Sequence, residues 1–202
     1  MKIDIGRAAF IALCVAAFSG CTLFSPVRID TKEYVLDNIP HDLPNEQTHS
    51  ATLLVLIPEA APIYATRQMA YTTQAYQVAY FSQNEWAETP PQMIQPLIVE
   101  ALRRTRYFSD VLSPPHFGRH TFVLHTEIMT LEQDFTTAPA MLQFAMRVSL
   151  IREATNKVIA TSELSAREPM REGNAAAGVA AANEAMAKLL RELARFVVEK
   201  AH

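Results

Sequence analysis

Any chemistry this chain performs must come from a short inventory of side chains. Its six histidines are His41, His49, His116, His120, His125 and His202. Only His116 and His120 have the i, i+4 spacing of a helical metal pair. They sit in Pro114-Pro115-His116-Phe117-Gly118, which reads as a loop, and no Glu accompanies them as in HExxH. His125 falls on the strand face opposite Phe122 and Leu124. No metal site is expected. Nucleophilic catalysis has no better footing. No GxSxG occurs, and a Ser–His–Asp triad of distant members has nothing pointing to it. The acids Glu127 and Glu132 read as a solvated strand face rather than a general acid/base pair. The chain is read as a non-enzyme, with a hydrolase as the remote alternative.

Glycine usage argues against an ATPase or a dinucleotide enzyme. Of 5 Gly, Gly6 and Gly20 lie near the N-terminus, leaving Gly118, Gly173 and Gly178. A glycine-rich phosphate cradle cannot be assembled from these. No cofactor is expected, and an ATPase serving this protein would be another chain. The net charge of −3 argues against nucleic acid, which calls for a basic patch or stripe.

One cluster is informative. Tyr64, Tyr71, Tyr76, Tyr80, Phe81 and Trp86 fall close together, and Trp86 is the only tryptophan. Amphipathic rings are enriched at protein interfaces and at the membrane–water boundary. The competing reading is that they fill the core beneath a sheet. With Arg67 beside them, the residues Arg67, Tyr71, Tyr76, Tyr80 and Trp86 are the candidates for contact with a partner or lipid.

These residues must be positioned by one globular domain. The chain has 202 residues, 50% apolar and 19% charged, which is ordinary globular composition. The N-terminus reads as an address. Lys2 and Arg7 precede the apolar run Ala8 to Phe18, too short to span a bilayer but suited to a signal peptide. It ends in Phe18-Ser19-Gly20-Cys21, small residues before a cysteine, which resembles a bacterial lipobox. Cleavage before Cys21 removes Cys14 and leaves one cysteine, which lipidation would explain. The expectation is a signal peptide at 1–20, a Cys21 carrying diacylglycerol and an N-acyl chain such as palmitate, and a tether through residue 32. Thr22 is not the Asp of an inner-membrane retention signal. The periplasmic face of the outer membrane is therefore the expected address. The mature chain then carries 16 basic and 20 acidic residues.

Residues 33–202 read as the folded domain. Pro40 to Ser50 is a polar loop. Strands are expected at Tyr34 to Leu36 and at Leu53 to Ile57, the latter buried on both faces. A hairpin is expected from Arg67–Tyr71 and Tyr76–Tyr80 around a turn at Thr72 to Ala75, with Tyr76, Val78 and Tyr80 on one strand face. Thr121 to Leu131 alternates, with Phe122, Leu124, Thr126 and Ile128 on one side. Leu142, Phe144, Met146, Val148 and Leu150 alternate more cleanly, with Gln143 and Arg147 opposite. Lys157 to Arg167 pairs with that strand through a turn at Glu153 to Asn156.

Two helices complete the pattern. The first opens at Thr89 with capping-box spacing to Gln92 and Pro90 at its first position. Its stripe is Met93, Ile94, Leu97, Ile98, Ala101 and Leu102. Pro96 implies a kink or a later start. The second runs from Asn174 to Lys200, with a stripe of Val179, Ala182, Met186, Leu189, Leu193 and Phe196 and small residues early on. Together these predict an α+β fold, two helices covering one face of a mixed, mostly antiparallel sheet.

The ordered combination carries a resemblance. The lipobox and tether are followed by Thr52-Leu53-Leu54-Val55-Leu56, Arg67-Gln68-Met69-Ala70-Tyr71 and Tyr76-Gln77-Val78-Ala79-Tyr80. Next come Asn84-Glu85-Trp86-Ala87, Pro91-Gln92-Met93-Ile94, Leu102 to Phe108 with Val111, and Ala180-Ala181-Ala182-Asn183-Glu184-Ala185. This resembles the ABC-type transport auxiliary lipoprotein family of the mammalian-cell-entry (MCE) and paraquat-inducible lipid transport systems. The resemblance implies a fold similar to the N-terminal domain of the Tol-system propeller protein. It implies as partners an MCE-domain protein with its ABC permease and ATPase, and phospholipid passing between membranes. It also makes a homo-oligomer a reasonable expectation, since MCE proteins form rings. An assembly lipoprotein that touches no lipid is the alternative.

Overall fold

The computed structural model describes residues 30–201 except Phe117. The expected signal peptide, Cys21 and most of the expected tether lie outside the described residues. Residues 31–201 fold as one unit around a curled, nine-stranded mixed sheet with two helices, so the α+β class holds.

The strands are β1 (Lys32–Tyr34), β2 (His49–Val55), β3 (Glu59–Ala60), β4 (Gln68–Gln74), β5 (Gln77–Trp86), β6 (Phe108–Leu112), β7 (Phe122–Asp134), β8 (Met141–Arg152) and β9 (Lys157–Pro169). The helices are α1 (Pro90–Arg104) and α2 (Ala175–Lys200). The organising element is β7. One edge pairs with β8 along its whole length, antiparallel. The other edge takes three short parallel partners in succession. These are β2 at Phe122–Leu124, β3 at Glu127–Ile128 and β4 at Glu132–Asp134. Beyond β4 lie β5 and then β1; beyond β2 lies β6, and beyond β8 lies β9. The long ladders are antiparallel, and the parallel pairings are all short.

The alternation read from the sequence is what buries the sheet. Leu142, Phe144, Met146, Val148 and Leu150 are all buried, as are Phe122, Leu124, Thr126 and Ile128. Each fully buried aliphatic or aromatic side chain contributes about 1.5–3 kcal/mol. The pattern in β7 changes after Ile128. A register shift between Ile128 and Thr130 inserts one residue, which turns Leu131 and Gln133 inward.

Several expected boundaries move. The first strand is Lys32–Tyr34, because Val35 is captured elsewhere: its carbonyl accepts from Asn183 Nδ2 at 3.1 Å. The LLVLI strand ends at Val55, and Ile57 is 52% exposed. Residues His49 and Ser50, expected in a loop, belong to β2. In the hairpin, Thr72 to Gln74 continue β4, so the turn is only Ala75–Tyr76. Thr72 Oγ1 donates across it to the carbonyls of Gln74 and Gln77 at 2.9 and 2.6 Å. Tyr76 consequently leaves the strand face it was assigned to.

Helix α1 starts at Pro90, and its stripe from Met93 to Leu102 is buried as read. Gln92 Oε1 accepts from both the Thr89 amide and the Thr89 hydroxyl, at 3.2 and 2.7 Å. The later start is not seen; Pro96 lies inside the helix. Helix α2 is capped by Asn174, whose Oδ1 accepts from the Ala177 amide at 2.9 Å. Its stripe holds except at Phe196, which is half-buried, while Val197 and Val198 are buried. Near its start, Gly178 lies directly over the buried side chain of Gln133.

A strap joins β1 to β2 across α2. Leu36 is buried, the Asn183 carboxamide oxygen accepts from the Asp37 and Asn38 amides at 2.9 and 3.2 Å, and Asp42 pairs with Arg191.

Candidate functional site

The aromatic stretch forms the β4–β5 hairpin and the turn that precedes it. The hairpin divides its rings between two tasks. Tyr64 (6% exposed) and Trp86 (3%) are core residues. Trp86, expected among the contact candidates, packs into the core at the end of β5, where β1 pairs alongside it. Tyr64 donates to Glu132 at 2.9 Å. Burial and that carboxylate push the Tyr64 hydroxyl well above the usual phenol range.

Tyr71 and Phe81 are half-buried and stack across the hairpin, with centroids 4.5 Å apart. Phe135 meets both edge-on, at 6.0 and 6.4 Å. Phe135 is far away in the chain, and no local pattern signals it. The parallel pairing of β4 with the end of β7 brings it there, with its amide donating to the Thr72 carbonyl at 2.8 Å. Tyr80 is half-buried against the core. At the turn Tyr76 is fully exposed, and Val78 beside it is 42% exposed.

Arg67 sits at the opposite end of the hairpin, where it is a clamp. Its guanidinium pairs with Glu33 of β1 and with Glu85 of β5 at 2.9 Å, and its Nε donates to the Trp86 carbonyl at 2.9 Å. The hydrogen bond to Glu33 raises its already high pKa. Of the five candidates, then, Tyr71 and Tyr80 are half-exposed on the hairpin, Tyr76 stands at its tip, Arg67 ties its base and Trp86 is buried beneath it.

Residues considered for catalysis have structural partners. Arg147 bridges Glu127 at 2.8 Å and Glu163 at 2.9 Å, a row across β7, β8 and β9. Glu132 receives Tyr64. His120 faces Glu153 at 3.3 Å and His125 faces Glu59 at 3.4 Å. Among the described residues no cluster of three His, Cys, Asp or Glu is arranged to hold a metal ion. An open recess of about 520 Å³ lies between the end of β9 and α2, lined by Glu168, Met170, Arg171, Ala181 and Glu184. Glu168 is buried there and pairs with Lys188 at 2.6 Å.

At the tip side of the sheet, Asp134 closes β7. Its carboxylate accepts from the Thr136 amide and hydroxyl and from Gln143 Nε2. Led by the Thr136 hydroxyl, these bonds hold its pKa below the ordinary aspartate range despite burial. A folded-state pKa lower than the unfolded one stabilises the fold fully above about pH 4, and that contribution vanishes as pH falls through the lower value. Asp134→Asn should therefore lower stability at neutral pH and flatten the acid limb. Urea unfolding at pH 7 and pH 3 measures this: the variant and parent should differ more at pH 7. An equal difference at both values would rule out the carboxylate as the cause.

The family of ABC-type transport auxiliary lipoprotein components matches residues 34–194. No curated protein matches the sequence. Among solved structures, a Xanthomonas campestris protein from a family of unknown function superposes with a TM-score of 0.72 at 18% identity, covering 84% of this chain and 95% of that one. An uncharacterized protein superposes with a TM-score of 0.67 at 15% identity, covering 83% and 99%. A hypothetical protein from Chlamydia trachomatis gives 0.52 at 12% identity, covering 75% and 98%. These likenesses establish the fold.

Proposed function

Since the chain belongs to the ABC-type transport auxiliary lipoprotein family, we propose that it is the outer-membrane-anchored docking and handoff component of an MCE-type phospholipid transport system. The family match across nearly the whole folded domain carries this reading, because it joins a lipoprotein to an ABC transporter. The physical logic supports it. Phospholipid crossing an aqueous space must keep its chains dry, since each CH₂ is worth about 0.8 kcal/mol. A module tied to the acceptor bilayer can end an apolar conduit there. The transporter's ATPase would supply the energy, and this chain would act without catalysis. Acyl chains on Cys21 would hold it to the periplasmic face of the outer membrane.

A mild-detergent pull-down of the full lipoprotein from its native envelope tests the proposal, with proteins and lipids identified by mass spectrometry. The expected result is an MCE-domain protein with its permease or ATPase, together with phospholipid. Transport proteins without phospholipid would favour the assembly role, to which the burial of Tyr64 and Trp86 lends some weight. Recovery of no transport component, under conditions that keep other envelope complexes intact, would overturn the proposal.

A further inference from the structure

We propose that the tip of the β4–β5 hairpin, with Tyr76 at its apex, rests in the interfacial layer of the bilayer to which the protein is anchored. The inference deepens the function proposed above and shares with it one premise, acylation at Cys21.

Direction is the first observation. β1 pairs with β5 in parallel, Lys32 level with Asn84 and Tyr34 with Trp86. The N-terminal end of β1 therefore points toward the start of β5, which is the hairpin turn. The chain that leads back to Cys21 enters the domain from the tip side. Arg67 fixes this arrangement through Glu33 and Glu85.

Reach is the second. From Asn84 back to Gln77 is seven residues of strand, about 23 Å at roughly 3.3 Å each. Cys21 precedes Lys32 by eleven residues, which span at most about 36–40 Å when fully extended. The tip thus projects across much of the greatest distance by which the acylated end can be separated from β1. A domain so tethered can bring its tip to the bilayer surface.

Composition is the third. No Asp, Glu, Lys or Arg occurs between Arg67 and Glu85. The exposed tip, Thr73 to Val78, carries only Thr, Gln, Ala, Tyr and Val. A desolvated charge would be costly in the headgroup–acyl boundary, and Tyr is enriched at that depth. Phe135 leads the β7–β8 loop beside it, and no charge follows until Arg147.

The fourth is backbone conformation. Tyr76 has φ 65°. Gly or Asn adopts that region with little strain, whereas a bulky side chain there is costly and rare. The strained position is occupied by a large ring that makes no packing contribution, being fully exposed. Strain retained where the fold gains nothing points to a use outside the fold.

The test uses the full acylated protein in vesicles of phosphatidylethanolamine and phosphatidylglycerol, with and without brominated acyl chains. Trp86 is buried, so Tyr76→Trp adds the one indole that can reach lipid. Val158→Trp adds one at the other end of the sheet, where Val158 is 51% exposed beside the β8–β9 turn. The expected result is that bromolipid removes about half or more of the emission added at position 76, as an interfacial depth of about 5–10 Å requires, and little of that added at 158. Equal quenching at both positions would overturn the proposal. So would an indole at 76 that lipid vesicles leave unquenched but the native envelope shields, which would assign the tip to a protein. Tyr76→Asn should fold with an unchanged or higher Tm; a large drop would show that the ring serves the fold and would also overturn the inference. Quenching with no transport protein recovered would remove the transport role and leave the tip contact. Recovery of the transporter with no quenching would do the reverse.

Discussion

Replacing Cys21 with Ser, with a conventional cleavable leader in place of residues 1–20, moves the protein from the membrane pellet to the soluble periplasmic fraction. The expected effect is essentially complete. The thiolate is the nucleophile that accepts diacylglycerol, and a serine hydroxyl is far weaker at neutral pH. With several acyl chains, each buried CH₂ contributes about 0.8 kcal/mol, and the sum makes release negligible. Without them, attachment would rest on the domain. Among the described residues no helix is long and apolar enough to cross a membrane. The exposed apolar side chains at the hairpin tip, Tyr76 and Val78, are too few to hold it alone. Fractionation with mass measurement of the mature chain checks this. A Ser variant that still pellets in high salt would place the anchor elsewhere.

Gly178→Ala should destabilise the domain, although alanine is the better helix former by about 1 kcal/mol. A Cβ at this position would lie 2.0–2.3 Å from the carboxamide of Gln133. Contacts that short cannot stand, so the end of Gln133 must shift within a buried site. It is 2% exposed, and its Nε2 reaches only the Ala175 carbonyl at 3.4 Å. Overpacking of this kind costs about 1–3 kcal/mol, and the helix gain offsets only part of it. The double variant Gly178→Ala with Gln133→Ala removes the clash, so the helix preference should then show. Chemical denaturation of the four proteins completes the cycle. If Gly178→Ala alone is neutral or stabilising, α2 does not approach β7 as closely as described.

How much of this could be read in advance depended on whether the determinant was local. The β8 alternation from Leu142 to Leu150 is legible because one face is buried and the other is not. The α1 stripe and its Thr89–Gln92 box are legible because both lie within a few turns of helix. The single extra residue near Met129 is not, since only pairing with β8 shows that the ladder slips there. β3, two residues long, carries no periodicity at all. Within the site, the sequence located the hairpin but left open which of its rings face the core. Trp86 and Tyr76 belong to one aromatic run, yet one is buried and the other bare. The difference lies in β1 pairing along the strand's end, and in a turn two residues long rather than four. Phe135 and Asn183 became visible only when distant segments were brought together.

The pairing of β1 with β5 has a mechanical consequence. Tension on the N-terminal end, if it is anchored at Cys21 as proposed, would pull β1 along its own axis, so its hydrogen bonds to Asn84–Trp86 are loaded together rather than one after another. Such a shear geometry resists force better than peeling does. The Arg67–Glu33 pair shares that load, and behind it the strap is fastened to α2 by Asn183 and Arg191. A domain pulled between a membrane and a docked machine would therefore meet the pull in shear at the strand through which it enters.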